Sequence, residues 1–78
     1  MQLTINGEAP FRALKDQFSV APSTSGYQVA FSTERNGTYT LDSDAIVPAN
    51  EGLVYLGSGI YCWYKLVGNT DTALTVVV

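Results

Sequence analysis

Apolar and polar residues alternate with a period of two along most of this chain, the repeat of a strand with one buried face. Leu3 and Ile5 alternate with Gln2 and Thr4 before Asn6-Gly7 breaks the run. Tyr27, Val29 and Phe31 alternate with Gln28, Ala30 and Ser32, and Asn36-Gly37 follows as the residue pair of a type I′ hairpin turn. The returning strand then starts at Thr38, with Tyr39 and Leu41 on the side of Phe31 and Val29. Asp42-Ser43-Asp44 reads as a break, Ala45-Ile46-Val47 as a short strand ended by Pro48, and Leu53 to Leu56 as another strand after Asn50-Glu51-Gly52. The last two runs are Ile60 to Val67 and Thr72 to Val78. Only Glu8 to Phe18 carries a different period. Phe11, Leu14 and Phe18 recur there at the spacing of one helical face, and Pro10 suits a first turn, which leaves room for one short helical turn near residues 9–17.

Short strands with turn signals every few residues leave no room for crossover helices. They describe an all-β chain, a compact antiparallel β-sandwich or small barrel of about six to eight short strands. At 78 residues it is a single domain, 1–78. Residues 1–17 read as an N-terminal arm and 18–78 as the β-sandwich core. Two runs stand out because both of their faces are apolar. In the first, Ile60, Cys62, Tyr64 and Leu66 share one face and Tyr61, Trp63 and Val67 the other, with Lys65 the only charge; the second is Leu74 to Val78. An exposed uncharged strand of this kind would template aggregation. Either these strands are central in a two-layer core, or their outward residues meet a partner.

Charge sharpens the choice. Four cations, Arg12, Lys15, Arg35 and Lys65, face seven acids for a net charge of −3, and only 14% of residues are charged, against roughly 25% in ordinary soluble domains. A surface so poor in charge points to association. The cations are too few and too scattered to form a nucleic-acid groove, which needs a clustered positive field. No apolar run approaches the roughly 18 residues of a membrane span. The first ten residues lack the basic start and apolar stretch of a secretory signal, so the expected site of synthesis is a reducing cytoplasm.

The chain contains no histidine and one cysteine. Histidine-dependent nucleophilic triads, the usual zinc sets and an internal disulfide are thereby excluded. Asp42, Asp44 and Glu51 could in principle pair as acid and base or hold calcium, but aspartates between strands ordinarily bond their own backbone. Cys62 reads as a small buried hydrophobe. Gly57-Ser58-Gly59 has no following Lys or helix to cradle phosphate, and Asn36-Gly37-Thr38, though a glycosylation triplet, is explained as a turn. No catalytic, cofactor-binding or metal residue is assigned. What remains is a set of tyrosines with Trp63, suited to packing, to interfaces, or to stacking on sugar rings.

The phrases Gly26-Tyr27-Gln28-Val29-Ala30-Phe31-Ser32-Thr33, Asn36-Gly37-Thr38-Tyr39, Val47-Pro48-Ala49 and Gly59 to Asp71 resemble small β-sandwich domains of tailed-bacteriophage virion proteins. These are the capsid decoration (cement) proteins and capsid-anchored head-fibre domains, and the likeness spans residues 26–78. The resemblance implies a non-enzymatic subunit, commonly a homotrimer, made in the host bacterial cytoplasm and bound to the major capsid protein or another virion protein on the capsid surface. No cofactor, nucleic acid or membrane enters that expectation. The expected protein contacts are Tyr61 and Trp63 on the outward strand face, Val77, and Leu3, Ile5 and Phe11 in a docking arm. The alternative is a carbohydrate-binding or head-fibre adhesion module that uses exposed Trp or Tyr as its platform.

Overall fold

A computed structural model describes residues 1–13, 17–57 and 60–78. Eight strands lie in two antiparallel four-stranded sheets: β1 (Gln2–Ile5), β2 (Phe11–Arg12), β3 (Gln17–Val20), β4 (Tyr27–Ser32), β5 (Thr40–Val47), β6 (Leu53–Leu56), β7 (Trp63–Val67) and β8 (Leu74–Val77). One sheet has the order β1-β8-β3-β6 and the other β2-β7-β4-β5. The all-β sandwich expected from the alternation is the architecture observed. β7 and β8, the two runs that are apolar on both faces, each lie between two neighbours. Neither is an edge strand, although β2 pairs with β7 only at Tyr64 and Trp63.

The sheets pack through one core. Tyr64 and Leu66 from β7, Val29 from β4 and Val76 from β8 are at most 1% exposed. At its centre the rings of Phe11 and Tyr64 from one sheet meet those of Phe18 and Tyr55 from the other. Phe18 lies 4.9 Å from both tyrosine ring centres and 5.0 Å, edge-on, from that of Phe11. The chain exposes 4569 Å², close to the roughly 4,600 Å² that a compact monomer of 8.4 kDa presents. The core is thus complete without a partner, even at this length.

Four local expectations change. Among the described residues there is no helix: Phe11–Arg12 pairs with Tyr64–Trp63 instead, and Ala13 N–H bonds the Cys62 carbonyl at 2.9 Å. Pairing satisfies the backbone and sends Phe11 inward and Arg12 outward, which an isolated helical turn here would not do; Leu14 lies outside the described residues. Second, residues 2–12 are not an arm, because β1 and β2 are strands of the sandwich. Third, the Asn36-Gly37 turn is not type I′. Neither residue has positive φ, and the connection from 33 to 39 is held instead by the Ser32 hydroxyl, which donates to the Glu34 carbonyl (2.8 Å) and accepts its N–H (3.1 Å). A side chain at Gly37 would come 2.9 Å from that hydroxyl.

Fourth, Asp42-Ser43-Asp44 does not end a strand. β5 runs through it as a bulge, Gln28 opposing Ile46 while Ala30 opposes Leu41. The Gln28 amide fastens the bulge to the Asp42 carbonyl at 3.1 Å. The register shift turns Leu41 outward, where it is 52% exposed, and not inward beside Val29.

Between the strands, loops are joined by a polar network built on two buried residues, Ser23 and Asn69. The Ser23 hydroxyl donates to Asn69 Oδ1 (3.0 Å), which also accepts Asp71 N–H (3.2 Å), and Asn69 Nδ2 donates to the Gly7 carbonyl (2.8 Å). Asp71 in turn accepts the Thr24 N–H at 3.0 Å and the Thr24 hydroxyl. These bonds link loops distant in sequence, the task a disulfide performs in many domains of this size.

Candidate functional site

Two surface features could meet another molecule. The first is the outer face of the β1-β8-β3-β6 sheet. Register places Val77, Ser19 and Val54 in one row across β8, β3 and β6, and Leu56 opposite Gln17 in the next. Val54 is 74% exposed, Leu56 71% and Val77 45%. β6 is also an edge strand without a charged residue. By contrast β5, the edge beside it in the other sheet, carries Asp42 and Asp44, the usual protection of an open edge.

The second feature is a groove of about 820 Å³ beside β1 and β2. Leu3, Ile5, Phe11 and Trp63 line it together with Arg12 and Arg35. Two-residue β2 cannot cover the whole length of the sandwich opposite β1, so apolar side chains of both sheets remain accessible there. Neither guanidinium has a salt bridge or side-chain hydrogen bond among the described residues.

Of the contacts expected from the sequence, Leu3, Ile5, Phe11 and Trp63 come together in this groove, whereas Val77 belongs to the apolar face. Ile5 and Phe11 are 6% and 3% exposed and serve the chain's own core. Tyr61 does not share a face with Trp63. It precedes β7 and packs its ring on Phe31 at 4.4 Å, toward the core, while its carbonyl accepts the Tyr64 hydroxyl at 2.8 Å. Alternation extended back from Trp63 puts Tyr61 outward, but the regular strand begins only at residue 63. Val54, Leu56 and the two arginines were not among the contacts expected from the sequence. The alternation of Leu53 to Leu56 held a signal for the first pair, since Tyr55 inward forces both neighbours outward.

Of the three candidate carboxylates, Asp42 has partners close at hand. Asp42 accepts Asp44 N–H at 2.9 Å and the Tyr55 hydroxyl at 2.8 Å. No three potential metal ligands cluster among the described residues. The hydrogen bonds from Thr24 hold the Asp71 carboxyl below its ordinary range. Cys62 is half-buried and makes no disulfide. The Lys65 ammonium sits over the Tyr39 ring, 4.4 Å from its centre. The Tyr27 hydroxyl is buried without a hydrogen-bond partner among the described residues, and burial pushes its pKa up to about 12.

In comparisons with known proteins no family model, no curated protein and no solved structure matches the chain.

Proposed function

We propose that this chain is a non-enzymatic structural subunit that works by association, with copies packing through the outer face that carries Val54, Leu56 and Val77. The observation that carries this reading is the position of those side chains. Val54 and Leu56 lie highly exposed on an uncharged edge strand and Val77, about half exposed, lies in the same row two strands away, on a molecule whose core is already filled, so they are not remnants of a poorly filled interior. Burying them against a second copy yields roughly 25 cal/mol per Å² before the cost of association. The wider setting, decoration and stabilisation of a bacteriophage capsid by a homotrimer bound to the major capsid protein, rests on the resemblance of residues 26–78.

Light scattering on the purified chain at micromolar concentration tests the association. The expected mass is a multiple of 8.4 kDa, three for the trimer. Val54→Glu with Leu56→Lys should return it to the single-chain mass with an unchanged β-type circular dichroism spectrum, because both positions face solvent in the single chain. A wild-type chain that stays monomeric up to millimolar concentration sinks the proposal. Sedimentation of the wild-type chain with purified capsids, and its loss with the double variant, tests the virion setting separately. The carbohydrate-binding alternative is favoured by one observation, an indole lining a groove, and a glycan array probed with wild type and Trp63→Ala decides it.

A further inference from the structure

The groove beside β1 and β2 is chemically unlike the rest of the surface. The chain carries four cations and a net charge of −3, yet two of those four, Arg12 and Arg35, line this one groove, and no Asp or Glu is found among its described lining residues. The rest of the lining is mainly apolar, with Leu3, Ile5, Phe11 and Trp63. Both arginines are exposed and solvated in the free chain, so an anionic group seated beside the apolar lining would find two donors able to make charge-assisted hydrogen bonds. An ion alone would gain nothing from the leucine, isoleucine and rings; an uncharged hydrocarbon would gain nothing from the arginines. A volume of about 820 Å³ lies in the range of small-molecule sites.

We infer that this groove binds an anionic amphiphile, a carboxylate-headed hydrocarbon whose tail lies against the half-buried Leu3 and Trp63, with Ile5 and Phe11 closing the floor behind them, while Arg12 and Arg35 hold the head. Its arginines and Trp63 lie outside the β1-β8-β3-β6 sheet, on β2, β7 and the 33–39 connection, and the edge that brings Val54 and Leu56 to the proposed association face is the edge of that sheet opposite β1.

Trp63, the only tryptophan, reports binding directly. Titration with octanoate should change its emission saturably, and 1-octanol of equal chain length should bind about tenfold more weakly, because it lacks the charge that the arginines recognise. Arg12→Gln with Arg35→Gln should weaken octanoate about tenfold and leave octanol within about twofold. Each arginine variant made singly should show part of that loss, and an unchanged urea midpoint in any of the three establishes that the fold is intact. The inference is overturned if octanoate gives no saturable change up to about 10 mM. It is equally overturned if octanol binds wild type as well as octanoate does. Saturable binding of glucuronate with none of octanoate would give the groove to acidic sugars instead.

Discussion

Tyr27→Phe should stabilise this protein. The Tyr27 side chain is 5% exposed, and its hydroxyl is buried without a hydrogen-bond partner among the described residues. A buried donor left unpaired costs about 1–3 kcal/mol of lost hydration. Phenylalanine removes that cost and keeps the ring, so no cavity opens. A gain of about 1 kcal/mol at pH 7, read as a rise of about 4–8 °C in melting temperature for a domain of this size, is expected. The same burial has a pH signature. Unfolded tyrosine ionises near 10.0, whereas Tyr27 in the folded protein holds its proton up to about 12. Below pH 10 neither state is ionised and the stability is fully present. Between pH 10 and 12 the unfolded state loses the proton first, so stability falls, by about 2–3 kcal/mol across the window at 1.36 kcal/mol per pH unit. Tyr27→Phe lacks this loss, so its advantage should widen as pH rises. Urea denaturation of both proteins at pH 7, 9, 10 and 11 measures it, and the other titrating groups cancel in the difference. A variant less stable by 1 kcal/mol or more at pH 7, with an alkaline limb parallel to wild type, would refute the reasoning.

Asn69→Ala removes the partner of the Ser23 hydroxyl, the Gly7 carbonyl and the Asp71 N–H together; a loss of about 2–4 kcal/mol in urea denaturation is expected. Gly26 and Gly68 separate backbone strain from collision, since both have positive φ. A Cβ at Gly26 would come 2.8 Å from the Val47 carbonyl oxygen and 3.0 Å from the Ala49 nitrogen, whereas at Gly68 the nearest atom is the Tyr27 Cα at 3.9 Å. Gly68→Ala should therefore cost about 1 kcal/mol for the left-handed backbone alone, and Gly26→Ala at least about twice that. Equal losses in thermal melts would show that the close backbone approach at Gly26 relaxes freely.

The alternation of apolar residues is enough to specify an all-β chain and the inward sets of most strands, because a strand with one wet face must alternate whatever its neighbours are. Phe18, Val29, Leu66 and Val76 are legible as core in this way. Turn chemistry transfers less well. Asn36-Gly37 was compatible with a two-residue hairpin, but a type I′ turn needs two positive φ values and the Ser32 hydroxyl offers the backbone a different closure. Asp42 and Asp44 are breakers by composition, yet the Gln28 side chain and Tyr55 hydroxyl give Asp42 partners that no local rule contains.

Strand order and sheet membership are properties of the tertiary structure alone. A run that is apolar on both faces, such as Ile60 to Val67 or Leu74 to Val78, has the same composition whether it is enclosed by neighbouring strands or presented to a partner. Enclosure depends on hydrogen bonds to residues tens of positions away. The fold encloses β7 and β8 and presents β6 instead. It likewise makes strands of the segment that read as an arm, since Ile5 and Phe11 gain more by filling the chain's own core. Low charge density was visible in the composition. Where it leaves apolar surface exposed, at Val54, Leu56 and Val77, and where two of the few cations meet beside Trp63, was decided only when register and sheet order brought distant residues side by side.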